Sequence, residues 1–409
     1  MRISIVVQRY GESINGGAEL HSRFLAERLS KKHDVTILTT QSTSYHSWGN
    51  DIKETEEIVN GVKVLRYSSI KKNQAQFRKL RRLLLKTRKY QRWLKKIGLF
   101  NILDSRGLFA STKEDFKNWL KHQGPYCKDL TEYIKENKHK YDVFIFFTYL
   151  YYPTNAGLPI VAEKSILIPT AHDEETFYIN GYGKIFDEAA FIMYNSMSEK
   201  KLVENTYPNS KNSKNEIAGV GIDSFDIKDN SFSVVYDYII YIGRIDKAKN
   251  VDVLIDWFSK YNKNLKQKIK LVLVGNNVSK LTGNEDVIFT GFISEEEKYD
   301  WLNGAKALVI PSLHESLSMV TLEAMIQGVP VIANANCEVL NNHIEQSKAG
   351  YLYFNYADFI AIMDNLINLS PKERQIMGDN GKNYVNKYYK WDGILQKFEQ
   401  AFKIIVKGK

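Results

Sequence analysis

Two separate stretches of this chain repeat one alternation: a short apolar run, a glycine-bearing loop, a helical period and another apolar run. Residues 2–7 (RISIVV) read as a buried strand, Gly11, Gly16 and Gly17 occupy the loop after it, a helical pattern covers 18–30, and DVTILTT reads as the next strand. Strand, loop, helix and strand make a βαβ unit, whose right-handed crossover pairs its strands in parallel. Further strands are predicted at 62–65, 142–147, 165–168 and 215–219. After a polar stretch around 224–234 the rhythm restarts. Strands are predicted at 237–243, 269–275, 287–291, 306–311, 329–333 and 350–353, with a helix from about 250 and helical patterns from 371 to 406.

A chain of 409 residues exceeds the roughly 100–200 residues of one ordinary domain. Each half carries its own strands and helices, so the predicted class is α/β, with two Rossmann-like domains facing a cleft. The boundaries fall at 1–222 for the first domain and 235–388 for the second, joined near 220–235, with a final helix at 389–409 packing back towards the first. In open parallel sheets ligands collect beyond the carboxyl ends of the strands, so the loops there are the places to look for chemistry.

Charge narrows the partners. The net charge is +10, but residues 71–97 hold twelve Lys or Arg and no acid, leaving 45 Lys and Arg against 47 Asp and Glu elsewhere. The basicity is local, so no nucleic-acid partner is expected. Cys127 and Cys337 lie 210 positions apart, too far in sequence to suggest a disulfide framework or a zinc site, and read as thiols of a reducing cytosol. No apolar run is long enough to span a bilayer, which points to a cytoplasmic location. There is no GxSxG elbow, no Walker loop, no His pair at metal spacing and no Asp-x-Asp pair. A hydrolase triad, a P-loop kinase and a zinc enzyme are thereby disfavoured, and no metal site or tightly held cofactor is expected.

Four clusters remain. PSLHESLSMVTLEAMIQGVPVIA carries Glu315 and Glu323 eight residues apart. On one helix that spacing turns by about 80°, so the two share a ligand only if Glu315 lies in a loop and the helix starts near Ser316–Ser318. A serine cap there leaves free N–H groups and a positive dipole end for a phosphate or sugar. A solvated helix with a dipole-compensating glutamate fits the same spacing. In YIGRIDKAKN, Arg244, Lys247 and Lys249 follow the strand-ending Gly243. Fixed cations in such a loop suit a diphosphate, and equally a surface ion-pair loop. Gly16 and Gly17 would let backbone N–H groups approach an anion, or simply turn the chain into a helix. His172 and Asp173 follow a strand, where the imidazole would meet a sugar hydroxyl or satisfy its own loop.

Taken in order, these segments resemble the retaining nucleotide-sugar glycosyltransferases of the GT-B fold, in particular glycosyltransferase family 4. INGGAELHSRFLAERLSKKHDVTILTT resembles that family's first βαβ unit, YIGRIDKAKN its glycine–arginine–lysine segment, and GFISEEEKYDWLNGAKALVIPSLHESLSMVTLEAMIQGVPVIA its long donor-site block. The resemblance implies that Arg244 and Lys249 hold the donor diphosphate and that Glu323 meets the ribose. It implies that Glu315, with the backbone of Ser316, Leu317 and Ser318, contacts the donor sugar. His172 would stand near the transferred sugar, Gly17 near the phosphates or the acceptor, Gly291, Phe292 and Ile293 near the base, and Glu338 in a structural place. Where the family carries glycines around an aromatic, this chain reads ESLS, which narrows the sugar's space.

The resemblance further implies metal-independent transfer of a hexose-type sugar, with retention, from a UDP- or GDP-type donor to a glycan, glycolipid or cell-surface polysaccharide precursor, as in cell-envelope polysaccharide biosynthesis. A sugar-nucleotide epimerase and a catalytically silent membrane-associated partner subunit are the rival readings. The basic segment is predicted to be an amphipathic helix within an insertion near 71–140. Phe77, Leu80, Leu83, Leu84, Tyr90, Trp93, Leu94 and Ile97 cover about half its circumference, and Arg78, Arg81, Arg82, Arg88, Lys89, Arg92, Lys95 and Lys96 most of the rest. Such a helix suits an anionic membrane surface, placing the protein on the inner face of the cell membrane, and equally suits packing on its own domain.

Overall fold

The computed structural model describes residues 1–14, 16–96, 99, 113–179, 181–225 and 234–407, excluding the side chains of 86–92, 95 and 96. It divides into two compact units, one comprising Met1–Ala218 with Leu395–Lys409 and the other Gly219–Ile394. The sequence pattern alone puts these divisions at 222 and 388. Residues 226–233 of the expected linker lie outside the described residues.

Among the described residues the first unit holds β1 (Arg2–Val6), β2 (Asp34–Thr40), β3 (Glu56–Val59), β4 (Val62–Tyr67), β5 (Val143–Phe147), β6 (Ser165–Ile168), β7 (Phe191–Tyr194) and β8 (Lys214–Ile217). They form one sheet in the order β3-β4-β2-β1-β5-β6-β7-β8. All neighbours are parallel except the β3–β4 hairpin. Central strands are apolar on both faces, as in the fully buried VFIFF of β5, because helices cover both sides of a parallel sheet. β3 and β7 are not among the strands expected from the sequence. The first is an exposed edge carrying Glu56 and Glu57, and the second has only four residues.

The basic segment forms the helix Gln74–Lys96. Its Phe77 ring stacks on Trp119 at 5.3 Å, and Leu84 and Leu94 are buried, so this stripe packs on its own unit. Leu83 and Trp93, expected on the same stripe, are exposed. Each precedes a buried leucine by one position and is rotated about 100° from it. Arg78, Arg81 and Arg82 face outward. Tyr90, Ile97, Arg88, Lys89, Arg92, Lys95 and Lys96 fall outside the described side chains.

The second unit holds β9 (Tyr238–Ile242), β10 (Lys270–Val274), β11 (Val287–Gly291), β12 (Leu308–Ile310), β13 (Val331–Asn334) and β14 (Gly350–Tyr353). Their order is β11-β10-β9-β12-β13-β14, all parallel. The strand order therefore reverses direction between β9 and β12, the place where an open parallel sheet leaves a crevice at its carboxyl edge. Two helices of this unit, Glu295–Gly304 and Pro371–Tyr388, open with full capping boxes on Ser294 and Ser370. Gly221 leaves room for Trp391, whose ring a Cβ would meet at 2.3 Å. The last helix, Trp391–Lys407, starts in this unit and ends in the first, where Phe398 and Phe402 are buried and Glu399 meets His33 at 2.7 Å.

Candidate functional site

The loops after β9 and β12 converge in the second unit. Beyond β9 the chain turns at Gly243 (φ 148°) beside Gly275 (φ 131°), where a Cβ on Gly275 would lie 2.0 Å from the Gly243 carbonyl. Only glycine at 275 admits that approach. Asp246 then accepts from the Ala248 amide at 2.8 Å and pairs with Arg244 Nε at 3.2 Å. This fixes the short 3₁₀ turn Lys247–Lys249 and points Lys249 across to the next loop. Its Nζ donates to Glu315 Oε1 at 2.8 Å, with the two side chains 29% and 18% exposed.

Both predicted cations are thus ion-paired. The arrangement is a partly exposed charge cluster at the edge of a sheet, in which a ligand anion would compete with Asp246 for Arg244 and with Glu315 for Lys249. Tyr241 packs beneath the cluster and donates to the Arg244 carbonyl at 2.8 Å. Burial pushes its hydroxyl up, Glu315 adds to the rise and Arg244 opposes it, which places all three groups in one electrostatic neighbourhood.

Glu315 lies in a loop and Glu323 on the helix Met319–Gln327. Of the caps expected at Ser316 or Ser318, the one at Ser318 is corrected. Ser318 occupies the N-cap position in the left-handed region (φ 63°) with no side-chain cap, and its Oγ faces Thr321 Oγ1 at 2.8 Å. A hydroxyl turned towards another side chain leaves the amides of this helix's first turn without that partner. The loop is pinned from beneath by His343, whose Nε2 donates to the Leu317 carbonyl at 2.8 Å while Nδ1 accepts from the Tyr384 hydroxyl at 3.0 Å. Burial lowers the imidazole from 6.5 to about 4, so it is the neutral tautomer that fits both bonds. Glu338 opens the next helix, Glu338–Ser347, in its first turn.

Glu323 is buried and meets Lys298 Nζ at 3.1 Å. Neither Lys298 nor His343 stands out in the sequence. The signal for Lys298 is an i,i+3 pair with Glu295 that reads as surface decoration; His343 offers none. At the end of β11, Gly291 (φ 74°) has open space where a Cβ would be, and its carbonyl accepts from Gly275. Phe292 beside it is exposed and Ile293 half-buried.

Gly16, Gly17 and His172 belong to the first unit. Gly16 precedes the helix Gly17–Leu29, and a Cβ there would lie 2.2 Å from Glu19 Oε2. The place expected to receive a ligand anion thus adjoins the chain's own carboxylate. Glu19 in turn accepts from Arg9 at 2.6 Å and Gln8 at 3.0 Å. A Cβ on Gly17 would have nothing within 4 Å. His172 Nε2 lies 3.6 Å from Glu174 Oε2, and Tyr149 donates to the other oxygen of that carboxylate at 2.6 Å. The loop carrying His172 is anchored by the buried Glu199, which accepts the amides of Ala171 at 2.5 Å and Asn195 at 2.6 Å. Burial pushes this carboxyl up to about 8, against the pull of those two amides.

Residues 224–384 match the family described as glycosyl transferases group 1. The alpha-monoglucosyldiacylglycerol synthase of Streptococcus pneumoniae is 30% identical over 169 residues, which are 37% of this chain and 38% of that protein. The first three relatives are matched over 38% to 62% of their own length, so the chain spans less than two thirds of each. Among solved structures, sucrose-phosphate synthase from Thermosynechococcus elongatus superposes with a TM-score of 0.71 over 100% of both chains at 16% identity. Anabaena HepE in complex with UDP and glucose superposes with a TM-score of 0.62 over 98% of this chain and 99% of its own, at 14% identity. Residues 224–384 thus carry the match to the glycosyl transferases group 1 family, and the chain as a whole has the GT-B fold of these solved structures.

Proposed function

We propose that this chain moves a hexose-type sugar, with retention and without a metal, from a UDP- or GDP-type donor to a hydroxyl of a glycan, glycolipid or cell-surface polysaccharide precursor. The observation that carries the reading is the Lys249–Glu315 contact, which joins the loops of the neighbouring strands β9 and β12 beside the mouth of the Met319–Gln327 helix. The group 1 domain and the UDP named in the HepE structure support a nucleotide donor.

Breaking a sugar–diphosphate bond builds negative charge on the departing diphosphate and positive character at the anomeric carbon, so the first requirement is electrostatic. In this reading Arg244 and Lys249 would take that charge, aided by the first-turn amides after Ser318. Release of Lys249 from Glu315 as the diphosphate arrives would leave the carboxylate for the hydroxyls of the donor sugar. Glu323 would accept from the ribose, and the exposed Phe292 would offer a ring face to the base. Retention fits same-face attack, the leaving phosphate taking the acceptor's proton.

In this reading His172 would stand near the transferred sugar and Gly17 near the phosphates or the acceptor. The outward cations of the Gln74–Lys96 helix, with exposed Leu83 and Trp93, suit an anionic lipid surface at the inner face of the cell membrane. No helix among the described residues is long and apolar enough to cross a membrane. The S. pneumoniae relative is named for a glycolipid product, which supports a lipid-borne acceptor.

The test is a thermal-shift panel of nucleotide sugars followed by transfer assays with the donor that stabilises most. Free ligand at about 100 times Kd raises stability by about 2.7 kcal/mol. A glycoside product supports transfer, and a panel without any shift removes the donor site.

A further inference from the structure

We propose that Lys298 is a positioning residue for donor binding, holding one carboxylate oxygen of Glu323 so that the other is presented to the ribose of the nucleotide. The inference rests on the reading above that Glu323 meets the ribose. Lys298 lies in the first turn of the Glu295–Gly304 helix and is 8% exposed. Its ammonium takes Glu295 Oε2 at 2.7 Å and Glu323 Oε2 at 3.1 Å, and stands 4.5 Å from the centroid of the Tyr299 ring. Glu323 Oε1 accepts no hydrogen bond from any described residue.

The asymmetry carries the argument. An ammonium that needed only a counter-charge would have it in Glu295, one turn away on its own helix and 56% exposed at the side chain. It makes that pair and reaches as well into the interior, to a carboxylate 25 residues further along the chain. Burial works against the ammonium and the two glutamates outweigh it, so Lys298 stays charged. A buried carboxylate held on one oxygen by a fixed cation has one rotamer and one free acceptor, which is the preorganisation a pair of vicinal hydroxyls needs. Tyr299 lies flat on Phe225, with centroids 4.7 Å apart and planes within 4°, and the Tyr299 ring adds a cation–π contact to the ammonium.

The experiment measures, by titration calorimetry, the affinity of the intact protein for UDP and for 2′,3′-dideoxy-UDP, or the guanosine pair if GDP is the nucleotide it binds. The wild type should prefer the ribose form by about tenfold or more, the ratio expected of hydrogen bonds to a charged group. Lys298→Met should lose that preference by weakening the ribose form about tenfold while leaving the dideoxy form unchanged. Equal weakening of both, or no change in either, overturns the inference, because a merely structural role does not distinguish the two sugars. Should Lys298→Met fail to fold, Lys298→Gln keeps a donor to Glu323 without the charge. It should show a preference between those of the wild type and Glu323→Gln, and a preference equal to the wild type's overturns the inference. Nucleotide binding by the wild type with no ribose preference sinks the role of Lys298 and leaves the donor site standing. Binding of neither UDP nor GDP removes the donor reading and this inference with it.

Discussion

His343 Nε2 lies 2.8 Å from the carbonyl oxygen of Leu317, 26 residues earlier in the chain, and ties the Glu315–Ser318 loop to the helix bearing Tyr384. The imidazole is neutral in the fold, lowered from 6.5 to about 4 by burial. Between those values the unfolded chain binds a proton that the folded one refuses, so stability is fully present above pH 6.5 and lost as pH falls towards 4. The loss amounts to about 3 kcal/mol at most. His21, lowered to about 3 by burial alone, adds a loss of the same sign that continues further into acid. Thermal denaturation from pH 7.5 to 4.5 should show a steeper decline for the wild type than for His343→Gln, and parallel curves would dismiss the assignment.

Arg244→Ala and Lys249→Ala should each reduce sugar transfer at least about 100-fold, the scale of removing one charge-stabilising donor from a transition state. Circular dichroism and melting temperature should stay near the wild type, because both side chains are partly exposed. Full turnover by either variant would take the diphosphate away from these cations.

The adjacent glycines should behave oppositely. Gly16→Ala drives a methyl group against a Glu19 carboxylate that Arg9 and Gln8 hold in place, and should destabilise by about 1–3 kcal/mol. Gly17→Ala meets open space at the start of a helix and should be neutral or stabilising by up to about 1 kcal/mol. Chemical denaturation of both variants reads this directly, and equal effects would contradict the packing at Gly16.

On the basic helix, Leu84→Ala should cost about 2–5 kcal/mol, as for a core leucine, whereas Leu83→Ser should change stability by no more than about 0.5 kcal/mol. If the cationic face meets lipid, Arg78, Arg81 and Arg82 changed together to Gln should lower binding to phosphatidylglycerol vesicles by about 3 kcal/mol, roughly 1 kcal/mol per cation. Unchanged vesicle binding would confine the helix to a packing role.

Most of the parallel strands are readable because buried strands such as VFIFF and SILI are apolar on both faces, a pattern that surface segments cannot imitate. β7 escapes because FIMY is short and sits among small and polar neighbours, and β3 because an edge strand tolerates Glu56 and Glu57. At the candidate site, the split of Glu315 and Glu323 between loop and helix follows from helical geometry. The left-handed Ser318 does not, since serine carries no mark of a positive φ. Lys298 and His343 are invisible for a related reason. Their partners lie 25 and 26 residues away, and a buried ammonium or imidazole has the same local pattern as a solvated one.

The route of the chain through its two units sets an order of events at the ribosome. The first unit is emitted almost entirely before the second, yet its final piece, with Phe398 and Phe402, comes last. Until then His33 has no Glu399 to meet, and the nascent first unit must wait through the whole second unit with that surface uncovered. Expressing residues 1–218 by themselves would freeze that unfinished stage, whereas the same stretch fused to 395–409 would close it.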